Sequence, residues 1–179
     1  MSNKPFPLVL LCMTILSTNL WALSTDKDQP IHIQSNQATI DDSKGIAVYE
    51  GAVNVEQGSI KLQADKVTVY NDANGISKII AQGKPAHYQQ QREASSPLTH
   101  AYGNKIDYRV RDEFIQILEN ARLEEKDNSF SGERIDYDMK RRTVNAYSDQ
   151  SGKNSDTGNR IEIIMQPNSI PASTTEKTE

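Results

Sequence analysis

A short strand pattern recurs along the chain, and its period of two leaves little room for anything but β-structure. It reads Ala64-Asp65-Lys66-Val67-Thr68-Val69-Tyr70, then Gly103-Asn104-Lys105-Ile106-Asp107-Tyr108, then Gly132-Glu133-Arg134-Ile135-Asp136-Tyr137. Each copy runs small residue, polar residue, base, then alternating apolar side chains, and each ends on tyrosine. A fainter relative stands at Ser35-Asn36-Gln37-Ala38-Thr39-Ile40. Side chains on a strand point alternately to its two faces, so such copies stack into a sheet with one apolar face. A stack of this kind has a long inner surface and two open edges.

Apolar alternation predicts strands near residues 31–34, 47–55, 60–70, 76–81, 86–88, 105–110, 114–118, 121–124, 134–139, 143–147 and 160–165. Turns fall at 41–45, 57–58 and 71–75, a polar exposed loop at 89–97, and a Gly, Asn, Asp and Ser-rich loop at 149–158. No segment reads as a convincing helix. Within 60–70 the phase changes: Ile60 and Leu62 share one face, Val67 and Val69 the other. Either a bulge near Ala64-Asp65 carries one strand between two layers of a sandwich, or two strands meet at a tight connection. Many short strands with regular turns point to an all-β sandwich or open barrel.

The chain opens with Lys4, an apolar run over residues 6–16, and Leu20-Trp21-Ala22. This is the pattern of a signal peptide, residues 1–22, cleaved after Ala22. The run is shorter than the roughly 20 residues a spanning helix needs, which weighs against an uncleaved anchor. Cys12, the sole cysteine, lies within it, and bulky Leu11 before it disfavours lipid attachment. The exported chain then holds no thiol for catalysis or metal ligation. Residues 23–29 are polar and expected to be flexible, residues 30–166 form one domain, and residues 167–179 are expected to be a disordered tail. Loss of Lys4 takes the formal charge from −4 to −5. Charges of both signs are interspersed, which argues against a nucleic-acid surface.

No catalytic residue, cofactor or metal site emerges. His32, His87 and His100 lack the spacing of zinc motifs, and there is no nucleophile elbow or phosphate-binding glycine loop. The inner rows carry more information: Val67 and Val69; Ile106, Tyr108 and Val110; Ile135, Tyr137 and Met139. They can form a packed core or line a ligand groove. Tyr49, Tyr88, Tyr108 and Tyr137 would crowd hydroxyls into a closed interior, where each needs a partner. A groove would hold acyl chains at about 0.8 kcal/mol per buried methylene. The two terminal strands, if at opposite ends of the stack, would allow non-closing head-to-tail pairing.

Several segments carry a resemblance. They are Asp28-Gln29-Pro30-Ile31-His32-Ile33, Glu50-Gly51-Ala52-Val53-Asn54-Val55-Glu56-Gln57-Gly58, residues 60–69, Gly83-Lys84-Pro85-Ala86, Lys105-Ile106-Asp107-Tyr108 and Glu119-Asn120-Ala121-Arg122-Leu123. In this order, they resemble the OstA-like family of periplasmic bridge proteins in Gram-negative lipopolysaccharide transport. The resemblance implies an open, twisted, V-shaped β-jellyroll that stacks end to end. It implies a carrier, not an enzyme, that passes lipopolysaccharide from an inner-membrane export complex to an outer-membrane assembly complex, with energy supplied elsewhere. Ile31, Ile33, Tyr88, Tyr108 and Val110 match lipid-contacting positions of the family; parity extends the lining to Val67, Val69, Ile135 and Tyr137. An LptC-like protein would meet the N-terminal edge, Ile31, His32, Ile33 and Gln34. An LptD-like protein would meet the C-terminal edge, Arg160, Ile161, Glu162, Ile163, Ile164 and Met165. One departure is Glu119, where the family commonly has glycine. A soluble lipid shuttle and a structural adaptor with a filled core are the alternatives.

Overall fold

The computed structural model describes residues 26–148 and 160–167. The expected leader 1–22 and loop 149–158 lie outside these residues, as does the expected tail beyond Pro167. A 3-10 turn, Asp26–Asp28, precedes β1 (His32–Gln34) and β2 (Gln37–Asp41). Six long strands follow: β3 (Ile46–Gln57), β4 (Ile60–Asp72), β5 (Gly75–Gln90), β6 (Thr99–Arg109), β7 (Phe114–Glu125) and β8 (Asn128–Asp138). Two short ones end the fold, β9 (Thr143–Tyr147) and β10 (Glu162–Ile164). There is no α-helix among the described residues.

β3 to β8 form an antiparallel meander in which each strand pairs with the next. At one end β1 and β2 share the outer edge of β3; at the other, β9 and β10 share that of β8. The first and last strands do not pair, so the sheet folds into an open sandwich and not a barrel.

A line of register breaks makes the folding possible. Pairing shifts between Glu50 and Val53 on β3, Gln63 and Lys66 on β4, Gln82 and Ala86 on β5, Tyr102 and Lys105 on β6, and Leu118 and Ala121 on β7. On β8 the same position divides the residues paired to β10, ending at Ser131, from those paired to β9, starting at Arg134. On β4, β5, β6 and β8 the inward parity changes across the break, from Leu62 to Val67, Ala81 to Ala86, Ala101 to Ile106 and Phe130 to Ile135; on β3 and β7 a pair of positive-φ residues, Gly51-Ala52 and Glu119-Asn120, turns the corner with parity kept. Val53, Val55, Leu62, Ala86, Tyr88, Ala101, Ala121 and Leu123 therefore face inward from one layer. Ala47, Val67, Val69, Ala81, Ile106, Ile115, Ile117, Ile135 and Tyr137 face them from the other, and all are buried. Of the two readings of residues 60–70, the bulged single strand is the observed one. The pieces expected at 76–81 and 86–88 are one strand, β5, and those at 114–118 and 121–124 are one strand, β7.

The repeat now has a physical meaning. Ala64, Gly103 and Gly132 stand at the break on β4, β6 and β8, and the residues after them supply the inner rows of one layer. A Cβ on Gly103 would come within 2.6 Å of Ile117 Cγ2 and 2.9 Å of the Leu118 carbonyl oxygen. The tyrosines are not equivalent, however. Tyr108 and Tyr137 face inward, whereas Tyr70 comes one residue later and turns out, with Lys78 Nζ 4.3 Å from its ring centre. Val69 fills the inward place.

Glu119 takes a left-handed backbone although it is not glycine. Its φ is 60° and that of Asn120 is 61°, both in the left-handed region at the β7 break. A side chain there costs about 1–2 kcal/mol, which glycine avoids while losing more chain entropy. Glu119→Gly should therefore raise stability modestly, by up to about 1 kcal/mol in urea unfolding. Gly103→Ala should lower it by about 1–3 kcal/mol, because backbone and a core methyl must both move.

Candidate groove between the two layers

The sandwich is packed in one half and hollow in the other. A cavity of about 980 Å³ opens between the layers, starting beside β1. Ile31, Ile33 and Val55 line its entrance, and Leu62, Val67 and Val69 continue the wall on β4. Ile79, Ala81 and Tyr88 on β5 follow, then Ile106 and Tyr108 on β6, with Val110 just past that strand. Seven expected lining residues, Ile31, Ile33, Val67, Val69, Tyr88, Tyr108 and Val110, are thus brought to one surface. Ile135 and Tyr137 are not on this wall. They sit in the packed half with Ile115, Ile117, Ala121 and Leu123, and none of these six is more than 3 % exposed.

Polar groups frame the hollow at the ends of the strands. Within the segment 23–29, expected to be flexible, Asp26–Asp28 forms a turn held by its first side chain. The Asp26 carboxylate accepts from the Ser59 backbone N–H at 2.7 Å, the Ser59 hydroxyl at 2.8 Å and Gln90 Nε2 at 2.9 Å. Gln57 Nε2 donates to the Gln29 carbonyl at 3.1 Å. Arg92, in the loop 91–98, reaches across the layers to the Met139 carbonyl, and Arg111 pairs with Asp72 at the far rim. Sequence reasoning missed Asp26 and Arg92. Nothing in a polar run tells which of its side chains turns back over the sheet.

The tyrosine hydroxyls find partners without filling the cavity. Tyr88 donates to Gln90 Oε1 at 2.8 Å, and its ring lies 5.7 Å from that of Tyr108 at 57°. Tyr137 meets Arg92. Burial, then the neighbouring Tyr108 and Asp26, pushes the Tyr88 phenol well up. Burial, reinforced by Glu113 and Asp26, pushes Tyr108 up to about 12. Burial likewise raises Tyr137. All three stay neutral at ordinary pH, as an apolar wall requires.

The outer face of the Tyr88 layer carries two of the histidines. His87 Nε2 and His100 Nδ1 are 3.1 Å apart, and the His87 ring stacks on Tyr102 at 4.4 Å. Burial, then His100, holds His87 below its ordinary value. Among the described residues, no group of three or more His, Cys, Asp or Glu is arranged to hold a metal.

The two edges differ. Ile33 of β1 is half-buried against the core while Ile31 is exposed. On β10 every residue is exposed, and Ile161, Ile163, Ile164 and Met165 leave an apolar strip in solvent.

Residues 32–143 match the family model described as LptA/(LptD N-terminal domain) LPS transport protein. The chain belongs to this LptA/LptH family. It is 39% identical to the lipopolysaccharide export system protein LptH of Pseudomonas aeruginosa over 147 residues, covering 82% of this chain and 84% of that protein. It is 30% identical to LptA of Escherichia coli K12 over 173 residues, covering 94% of this chain and 89% of that protein. The crystal structure of P. aeruginosa LptH, titled as the LptA homologous periplasmic component of the lipopolysaccharide transport device, superimposes with a TM-score of 0.71 at 38% identity. That likeness spans 80% of this chain and 100% of that one. As an LptA/LptH family member the chain is a periplasmic bridge protein of lipopolysaccharide transport, and the family transports rather than catalyses.

The raised phenols set the alkaline limb of stability. Tyrosine in an unfolded chain titrates near 10, so the fold holds these protons more tightly. Their contribution is complete below about pH 10 and is lost as pH rises towards about 12, the value for Tyr108. Tyr108→Phe should flatten that decline, read as the urea midpoint followed from neutral to alkaline pH.

Proposed function

We propose that this chain holds lipopolysaccharide by its acyl chains in the cavity between the layers and hands it along a bridge across the periplasm. One observation carries the reading: a hollow of about 980 Å³, walled by inward apolar rows, opens beside the first strand. Hydrocarbon packed there leaves water at about 0.8 kcal/mol per methylene, so several chains bind firmly without a tailored polar pocket. The sugar-bearing head can stay at the rim, near Arg92 and Arg111. Residues 30–166 act as the functional unit, and residues 1–22 direct its export.

The edges fit the hand-off. Ile31, His32, Ile33 and Gln34 offer a short ladder beside the cavity entrance to an inner-membrane, LptC-like partner. The stretch Arg160, Ile161, Glu162, Ile163, Ile164 and Met165 offers exposed backbone and apolar side chains to an outer-membrane, LptD-like partner or to a second copy. Strand addition supplies affinity in both cases, and repeating the same join head to tail extends the groove. Ile135 and Tyr137 line the path in the half that is closed in the isolated chain.

Photocrosslinkers at Ile33, Tyr108 and Val110 should capture lipopolysaccharide in cells during active transport. Ile33→Asp should cut capture at Val110 by about tenfold or more while leaving partner capture from Ile163 intact, because a carboxylate in the entrance opposes hydrocarbon. No lipid adduct at any of the three positions while transport proceeds would rule the groove out.

A further inference from the structure

The cavity does not run the length of the molecule, and one side chain stands where it stops. Past β6 its wall takes only Val110, Arg111 and Glu113, in the turn before β7, and Met139, just beyond β8. Farther on, Ile115, Ile117 and Ile135 are closed against Ala121 and Leu123. Arg92 lies two residues past β5, on the side of the layer that carries Tyr88. Its Nη1 donates to the Met139 carbonyl oxygen at the end of the opposite layer. The same guanidinium meets Tyr137. Met139 is itself fixed, since its backbone N–H donates to the Glu113 carbonyl at 2.9 Å. Guanidinium donors form a rigid fork, so one side chain can hold two acceptors of a facing layer together. Apart from the Tyr88–Tyr108 hydroxyl contact inside the cavity, the inner faces of the layers are apolar side chains, which slide and separate more easily than a directed, charge-assisted bond.

On the reading that the cavity holds acyl chains, we propose that Arg92 sets its downstream limit. The side chain fastens the loop 91–98 across the open side of the sandwich and keeps hydrocarbon out of the half that contains Ile135 and Tyr137. The inner rows on the two sides of Arg92 are in phase, as the strand repeat shows. Releasing this one polar contact therefore joins the existing wall to the packed rows beyond it. Arg92 is a positioning residue: it determines how long a chain the cavity accepts, and its removal is the step that would let a lipid pass on.

Two measurements test this. Spin labels on cysteines introduced at Ser95 and Arg141, with the sole native cysteine Cys12 changed to serine, report the gap between the layers without lipid. The parent should give one narrow distance, Arg92→Lys, which keeps the charge but loses the fork, an intermediate one, and Arg92→Met a longer and broader distribution. Saturated lysophosphatidylglycerols of increasing chain length should bind the parent about fourfold tighter per added methylene until the chain fills the cavity, then level off. In Arg92→Met the levelling should move to chains several carbons longer, and in Arg92→Lys by a smaller amount. An unchanged distance with an unmoved limit overturns the assignment and leaves the lipid reading standing. An opened gap in a protein that binds no member of the series, with the parent equally inert, overturns the lipid reading and the limit with it.

Discussion

Side-chain alternation is the constraint on which this architecture depends. A strand of period two can present its apolar residues to one face only. Strands of eleven residues or more, such as β6 and β8, would leave much of that face unpacked if they ran flat. The breaks at Glu50/Val53, Gln63/Lys66, Gln82/Ala86, Tyr102/Lys105 and Leu118/Ala121 solve this by bending successive strands at the same level, so that both halves of each turn their apolar residues inward. One sheet then supplies both walls of its own interior. Ala52, at φ 46°, and the left-handed pair Glu119 and Asn120 are the local costs of that arrangement.

Because the two walls are halves of the same strands, their separation is fixed at the breaks and free at the opposite ends. This explains how one molecule contains both a hollow and a solid core. Where small residues and long aliphatics mesh, as at Ala121, Leu123 and Ile135, the free ends close. Around Tyr88 and Tyr108, whose rings meet at 5.7 Å across the layers, the walls leave a hollow beside the ring pair. The neutral phenols offer ring surface to the hollow and keep their polar atoms on Gln90 and on each other, so no buried charge is needed to hold them.

Much of this was legible in the sequence, for definable reasons. Period-two alternation survives in every strand, so the all-β class and most strand centres follow directly from residues such as Val67, Ile106 and Ile135. The parity conflict between Leu62 and Val67 exposed the layer change on β4. It was hidden on β5, where Gly83 and Pro85 look like a turn, and on β7, where Glu119 and Asn120 look like a loop; both runs are breaks within continuous strands. The inner rows divide between a packed half and a hollow half, and alternation alone could not tell which rows belong to which. What remained out of reach were contacts between distant polar residues. Asp26 on Ser59 and Arg92 on Met139 depend on where loops return in space, and no local pattern encodes that return.

Each end of the sheet is finished by two short strands and not one long one. β1 and β2 divide β3 between them, and β9 and β10 divide β8. An incoming ribbon must follow the corner to pair with both pieces, and a straight one can satisfy only one of them. Indiscriminate fibre growth, which favours flat uninterrupted borders, is thereby discouraged. A neighbour whose own edge is bent at the same level would meet no such obstacle, so the corner selects by shape among strands that could pair with it.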